Sequence, residues 1–111
     1  AGVNKVILVG NIDQKPELDT SSGVPFCNFS VATNERWGRD ESGQTKEHTE
    51  WHRVSAWRKL AEICAQYLDK GKQVYIEGRL RTRSWTTPEG ETRYTTEIQV
   101  DEMVMLGGRG G

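Results

Sequence analysis

The sequence lacks the groupings of residues on which metal binding and covalent catalysis depend. Its two cysteines, Cys27 and Cys64, stand far apart and do not form a metal-ligand pair. The sequence alone leaves two alternatives for them, a disulfide or two buried thiols in a reducing compartment. The buried thiols are the preferred interpretation. His52 has no nucleophile or second ligand at a recognisable spacing, and no glycine-rich turn joins a strand to a helix. We therefore expect a protein that is not an enzyme and that holds no metal or cofactor.

Long apolar runs are also absent. No segment approaches the roughly 18 apolar residues of a membrane-spanning helix, and no charged segment followed by an apolar one marks a leader. The mean hydropathy is −0.72, yet four Trp, three Tyr and two Phe argue against a disordered chain. The length of 111 residues suits one domain with a small core, for which association of subunits is a natural supplement. We expect a soluble, intracellular protein without membrane association.

A strong net charge is missing too, which at first counts against nucleic-acid binding. The formal net charge is −1 and the pI is about 6.2. The charges are nevertheless unevenly distributed, because residues 50–93 hold nine basic and six acidic side chains while the flanking segments are acidic. A local cationic surface is therefore expected despite the overall balance.

Hydrophobic periodicity and turn residues predict five strands and one helix. The strands are predicted at 6–9, 26–33, 51–57, 73–83 and 94–106, with a helix over 60–68 that Gly71 caps. Residues 34–49 are predicted to form a long, mobile hairpin loop that carries Trp37, and Gly78 is predicted to mark a bulge or a bend. This order predicts an all-β protein with one helix, a five-stranded Greek-key OB-fold barrel with the helix between strands three and four. The domain would span 1–106, and 107–111 would begin a flexible glycine-rich linker.

Alternation along the third and fourth strands places tryptophan and arginine on the same side. In the third strand Trp51, Arg53 and Trp57 lie on one side, and His52 and Val54 on the other. In the fourth strand the corresponding side carries Arg79, Arg81, Arg83 and Trp85. No acidic residue alternates among them within the strand. Because unpaired guanidinium groups are not buried in a core, we expect these sides of two neighbouring strands to face solvent.

Such a surface predicts a platform for single-stranded nucleic acid. Unpaired bases stack on indole rings while arginine and lysine neutralise the phosphates, and every base offers a flat face, so the sequence of the ligand matters little. Core filling is the alternative for Trp51 and Trp57, and a solvated edge strand is the alternative for the arginines. Trp37, flanked by Arg36 and Arg39, either packs against its own loop or contacts the ligand.

Four stretches of the sequence carry a more specific signal. They read VNKVILVGN at 3–11, KEHTEWHRV at 46–54, YLDKGKQVYIEGRL at 67–80 and YTTE at 94–97. Together they resemble the bacterial and mitochondrial single-stranded DNA-binding proteins, a homotetrameric OB-fold family, from residue 3 to residue 107. The resemblance implies a homotetramer that wraps single-stranded DNA without sequence preference during replication, recombination and repair. It also implies the bacterial cytoplasm, at the nucleoid, in preference to mitochondria.

The resemblance further implies roles for individual residues. The base-stacking positions of the family correspond to Trp37, Trp51, Trp57 and Trp85; at Trp57 the best-known members carry Phe. The basic positions of its DNA path correspond to Lys5, Arg53, Lys59, Lys70, Arg81 and Arg83, to which the alternation within the fourth strand adds Arg79. His52 and Gln73 match positions at subunit contacts.

The sequence departs from the family at its C-terminal end, and two other classes of function are alternatives to DNA binding. Bacterial members continue through a Gly/Pro/Gln-rich linker to an acidic tip that recruits replication and repair proteins, whereas this sequence stops at the first glycines of such a linker. We therefore expect a DNA-binding core without that recruiting tail. An OB-fold adaptor that binds mainly proteins would not need four stacking Trp residues. An RNA-binding OB or cold-shock-like domain would usually be shorter and lack the helix.

Overall fold

The structure is a computed structural model that describes residues 1–107. Its elements are β1 (Val6–Ile12), β2 (Phe26–Arg39), β3 (Thr45–Trp57), α1 (Arg58–Tyr67), β4 (Gln73–Thr86) and β5 (Thr92–Met105). Apart from Gly107, the predicted linker lies outside the described residues. Over residues 1–107, no helix has the length and apolar character needed to cross a membrane.

The five strands close into a barrel in the order β1-β2-β3-β5-β4. The contact between β3 and β5 is parallel and short, with Val54 opposite Ile98 and Ser55 opposite Gln99. All other neighbours in the barrel pair in antiparallel fashion. The predicted fold, an all-β OB-fold barrel with one helix between the third and fourth strands, is confirmed.

Small and branched apolar side chains fill the barrel. The largest fully buried side chains are Leu68, Ile76, Val31, Val54, Val74, Cys27 and Cys64. Both cysteines are free, as the preferred interpretation of the sequence has it. A hydrogen bond with Cys27, together with burial, raises the pKa of the Cys64 thiol well above its usual range, so this thiol stays protonated.

The helix α1 packs on β2 and β3 through Ala61 and Cys64. A lysine from the loop between β1 and β2 satisfies its C-terminal end. The Nζ atom of Lys15 donates hydrogen bonds to the carbonyl oxygens of Ala65 at 2.8 Å and Leu68 at 3.4 Å. A cation at this end of a helix also interacts favourably with the helix dipole.

The prediction that Gly71 caps the helix is wrong. Leu68 is the C-cap residue, and Gly71 lies three residues later, in the turn that enters β4. Gly71 has φ 86, and its N–H donates a hydrogen bond to the carbonyl oxygen of Ile12 at 2.8 Å. The left-handed conformation that glycine favours is therefore used here to join two strands of the barrel.

Two long hairpins extend from the barrel, and the first of them corrects the predicted loop over 34–49. β2 and β3 stay paired as far as Arg39 and Thr45, which leaves only a short turn between them. In this turn the hydroxyl of Ser42 and the backbone N–H of Gln44 donate to Asp40 Oδ1, at 2.6 and 3.0 Å, and lower the pKa of Asp40. A hairpin was predicted here, but periodicity missed how far its strands stay paired. Both sides of an exposed ribbon face water, so apolar residues do not alternate along it.

Two glycines lie where neighbouring strands approach closely. The ladder between β4 and β5 shifts register between Glu77 and Gly78, which confirms an irregularity at Gly78; the extra residue is Asp101 of β5. A Cβ atom on Gly78 would collide with the carbonyl oxygen of Gln99, and one on Gly10 with the carbonyl oxygen of Ala32. A side chain at either position would push two paired strands apart.

We therefore expect Gly78→Ala to destabilise the fold by roughly 1–3 kcal/mol, the usual cost of overpacking a tight site. Urea denaturation followed by far-UV circular dichroism measures this change. Gly2→Ala is the matched control, because no atom lies within 4 Å of the Cβ position at Gly2. An unchanged midpoint for Gly78→Ala would contradict the close approach of β4 and β5.

Candidate nucleic-acid interface

All four tryptophans lie at the surface. Their fractional exposures are 51% for Trp37, 57% for Trp51, 42% for Trp57 and 45% for Trp85. None of these rings belongs to the buried core, so core filling is the wrong alternative for Trp51 and Trp57. Several half-exposed indoles on a small domain mark a surface suited to binding. Their role in stacking stays a prediction.

The tryptophans of β3 and β4 lie on the outer side of a three-stranded surface. The expectation that β3 and β4 are neighbours is wrong, because β5 pairs with both and lies between them. A Greek-key connection returns the last strand to the middle, which the order of strands along the chain does not reveal. We name this outer side the platform; it comprises Trp51, Arg53, Trp57, Arg79, Arg81, Arg83, Trp85, Thr95 and Glu97.

An acidic residue occupies the platform between the arginines of β3 and β4. Glu97 Oε2 lies 3.8 Å from Arg53 Nε, and Glu97 Oε1 lies 3.7 Å from Arg83 Nε. The Glu97 side chain is 13% exposed, whereas each of these arginine side chains is 59% exposed. The alternation within single strands did not reveal this carboxylate because it arrives from β5. Arg81 lies directly opposite Glu97 in the ladder between β4 and β5.

Two tryptophans of the platform are held by neighbours on the same side of the sheet. Trp57 stacks on Phe26 of β2, with ring centroids 4.9 Å apart and planes inclined by 22°. The indole N–H of Trp85 donates a hydrogen bond to Thr95 Oγ1 at 3.0 Å. Because these rings are already restrained, less conformational entropy is lost when a ligand orders them further.

Trp37 lies elsewhere in the first hairpin. It sits in β2 opposite Lys46, not in a loop as predicted. Ala32 lies opposite Trp51 in the same ladder, and residues an odd number of positions apart on a strand point to opposite sides. Trp37 therefore belongs to the opposite side of the ribbon from Trp51. The structure does not bring all four tryptophans onto one surface.

A groove of about 710 Å³ borders the platform beside Trp57. Three arginines, Arg58, Arg81 and Arg83, line it together with the single carboxylate of Glu97. The alternation pattern of the sequence does not single out Arg58. The signal that identifies it is conformational, because Arg58 is the one non-glycine residue with positive φ (59) in the described part of the chain. Its N–H donates to the carbonyl oxygen of Pro25 at 2.7 Å, which holds the strained conformation in place.

A second groove, of about 800 Å³, has the opposite electrostatic character. Its charged lining residues are Asp13, Lys15, Glu17, Asp19 and Arg53, with acids in the majority. Phe26 lines this groove and Trp57 lines the first one, so their stacked pair stands between the two. An anionic ligand is expected to prefer the arginine-lined groove.

The remaining predicted cations lie away from the centre of the platform or carry ion pairs. Lys5 precedes β1 and lies 3.2 Å from Glu77, and Arg79 lies 3.3 Å from Asp101. Lys59, at the start of α1, is 82% exposed and only loosely paired with Glu62 at 4.0 Å. Lys70 is exposed in the turn after α1. The structure therefore brings together Arg53, Arg81 and Arg83, but not Lys5, Lys59 or Lys70.

The two residues predicted at subunit contacts occupy different places in the barrel. His52 is half-buried and its Nε2 forms a 2.9 Å hydrogen bond with Thr33 Oγ1, which accounts for it without catalysis. Gln73 is exposed at the start of β4, opposite Asn11 of β1. Among residues 1–107, no group of three His, Cys, Asp or Glu side chains is placed to hold a metal ion.

A closed five-stranded barrel with this helix and an exposed aromatic and cationic side defines an OB-fold binding domain. Residues 3–106 match the model of the Single-strand binding protein family, and the chain belongs to this family. A solved structure described as "Plasmodium falciparum SSB complex with ssDNA" superposes with a TM-score of 0.82 at 30% sequence identity. The match covers 96% of this chain and 97% of that one. Membership of this family confirms the resemblance and the expectation of a non-enzymatic protein.

The strain at Arg58 can be measured by comparing two substitutions. Arg58→Ala keeps a Cβ atom in the left-handed conformation, whereas Arg58→Gly removes it. We expect the glycine variant to be more stable than the alanine variant by about 1 kcal/mol, because left-handed backbone disfavours a Cβ atom by roughly that amount. Chemical denaturation of both variants gives the difference. Greater stability of the alanine variant would show that Arg58 does not adopt positive φ.

Proposed function

We propose that this protein binds single-stranded DNA without sequence preference and protects it during replication, recombination and repair. The observation that carries the proposal is the platform, on which half-exposed indoles and guanidinium groups share the outer side of β3, β5 and β4. Membership of the family and the likeness to an SSB in complex with single-stranded DNA support it. An adaptor that binds only proteins has no need of this combination of side chains.

Base stacking supplies the part of the affinity that is independent of sequence. Trp51 presents the most exposed ring of the four, at 57%, and Trp57 and Trp85 are held against Phe26 and Thr95. A duplex hides the faces of its bases, so only an unpaired strand can use these rings. Each stacked base contributes roughly 1–3 kcal/mol, and several such contacts give tight binding with little discrimination among bases.

Phosphate neutralisation guides the strand along the platform. Arg58, Arg81 and Arg83 line the groove beside Trp57, while the groove beyond Phe26 has three acids against Lys15 and Arg53 and attracts a polyanion less. We therefore infer that the strand follows the arginine-lined side of the Phe26–Trp57 pair. Release of counterions from the phosphates makes such binding weaken steadily as salt rises.

The first hairpin extends the binding surface beyond the barrel. β2 and β3 remain paired far beyond the buried part of the sheet, and Trp37 lies near the end of this ribbon between Arg36 and Arg39. Because Trp37 is on the opposite side of the ribbon from Trp51, one strand meets both rings only by passing around the hairpin. We propose that Trp37 contacts a later part of a wrapped strand.

Trp51→Ala is expected to weaken binding of oligo-dT by about 5- to 150-fold, the loss of one base stack. Quenching of tryptophan fluorescence during titration measures the dissociation constant. Similar losses are expected with oligo-dA and oligo-dC, because stacking does not depend on the hydrogen-bonding groups of the base.

Tyr67→Ala is the matched control for this substitution. Tyr67 is 55% exposed, close to Trp51, but lies at the end of α1 and away from the platform. The Tyr67→Ala variant should bind oligo-dT with the same dissociation constant as the unaltered protein. Absence of quenching by oligo-dT in the unaltered protein, or equal affinity for duplex DNA, would refute the proposed function.

We also propose that the protein acts as a homotetramer, using the outer side of β1, β4 and β5. Val9 lies opposite Tyr75, and Tyr75 lies opposite Val104, which forms an outward row of apolar and aromatic side chains. Val9 is 49% and Val104 42% exposed, and the neighbouring Ile7 is 57% exposed. β1 pairs with β2 only at Asn11 and Ile12, so most of its second edge has no ladder partner within residues 1–107. Free edges and apolar rows of this kind favour association.

Sedimentation velocity at micromolar concentration tests the assembly. The unaltered protein should sediment as a species of about four times the 12.6 kDa mass of the chain. Val9→Glu should shift the distribution toward smaller species, because burying an unpaired carboxylate at the subunit contact is costly. Leu18→Glu is the control, since Leu18 is 41% exposed in the loop between β1 and β2. A monomeric unaltered protein would refute the assembly without affecting the proposal of DNA binding.

A further inference from the structure

Glu97 is an acidic side chain at the centre of a surface proposed to bind a polyanion, and its contacts are unusual. Its two oxygens each face the Nε atom of a different arginine, at 3.8 Å for Arg53 and 3.7 Å for Arg83. Both distances exceed the length of a hydrogen bond. Within residues 1–107, Glu97 Oε2 is buried and has no hydrogen-bond partner. The carboxylate is thus held mainly by charge.

The position of Glu97 is fixed while the two arginines remain open. Its side chain is 13% exposed, and each of the arginine side chains is 59% exposed. The carboxylate faces the Nε atoms, so the terminal nitrogens of both guanidinium groups remain available for phosphate oxygens. A bound strand therefore meets two arginines that already share one negative charge.

We propose that Glu97 is a built-in counter-ion that limits the affinity of the platform and reduces the number of phosphates it neutralises. The proposal rests on the proposed function, binding of single-stranded DNA. Arg53, Arg83 and Glu97 together carry one net positive charge, so they neutralise about one phosphate where two free arginines would neutralise about two. The carboxylate also lies close to any phosphate bound by these arginines, and this repulsion favours dissociation.

A limited affinity has a physical use in a protein that coats DNA. A strand covered by a coat must be released when a polymerase or a complementary strand needs it, and release is slow when every cation is engaged. A carboxylate at the centre of the platform lowers the affinity for phosphate and leaves every stacking ring in place. It acts equally on every base sequence, because phosphates are the same along the strand.

Glu97→Gln tests the proposal, since glutamine keeps the shape of the side chain and removes its charge. We expect the variant to bind oligo-dT roughly two- to fivefold more tightly at about 0.1 M salt, in the range of an exposed ion pair. The slope of log K against log salt should steepen by at least about 0.7, the value for one additional phosphate of a single strand. Fluorescence titrations of the complete chain at four or more salt concentrations measure both quantities.

Two comparisons make the result specific. Asp69→Asn removes the same charge from an exposed residue in the turn after α1, away from the platform, and should leave the slope unchanged. In an Arg83→Gln background, the effect of Glu97→Gln should shrink, because one partner of the carboxylate is gone. Should Glu97→Gln fold poorly, Glu97→Thr removes the charge with a residue suited to strands.

These measurements distinguish a failure of the counter-ion role of Glu97 from a failure of DNA binding. If the unaltered protein binds oligo-dT and Glu97→Gln binds with an unchanged slope, the counter-ion role is refuted while DNA binding stands. Weaker binding by the variant would likewise refute it and would show that Glu97 serves only to orient Arg53 and Arg83. If the unaltered protein itself does not bind, the proposed function fails first.

Discussion

The short parallel contact between β3 and β5 is the constraint on which the rest of the structure depends. Only two residue pairs form it, Val54 with Ile98 and Ser55 with Gln99, yet it closes the barrel and sets β5 between β3 and β4. The inward members, Val54 and Ile98, belong to the core, so the pleat turns their neighbours outward. Burial of a few apolar side chains thereby decides which residues of three strands share one outer surface.

The resulting surface explains how a chain with a net charge of −1 suits an anionic ligand. Asp13, Glu17 and Asp19 line a separate groove, while Arg58, Arg81 and Arg83 outnumber Glu97 in the groove beside Trp57. A polyanion responds to the potential close to it, since charges beyond about 8–10 Å are largely screened at physiological salt. The distribution of charge over the surface therefore matters more than the net charge. On the cationic side, the carboxylate of Glu97 reduces the positive charge that the arginines present.

Much of the architecture followed from the sequence. Five strands, the helix over 60–68 and the bulge at Gly78 are all visible as patterns of neighbouring residues, because alternation and helical spacing arise from burial on one side of an element. The predicted loop over 34–49 failed for the converse reason. A hairpin that leaves the barrel is wet on both sides, and its pairing depends on cross-strand hydrogen bonds and on the turn at Asp40, neither of which has a hydrophobic period.

The sequence by itself determined the chemical nature of the candidate site: tryptophans and arginines that alternate on one side of β3 and of β4, on a chain with no catalytic constellation. Those properties are local, and the alternation of a strand is enough to establish them. The tertiary structure decided that β5 lies between β3 and β4 and that its Glu97 faces both Arg53 and Arg83. It also decided that Trp37 lies on the other side of its ribbon and that Arg58 adopts a strained conformation beside the groove. These facts depend on long-range pairing between distant segments, which closure of a barrel sets and which no pattern along a single strand encodes.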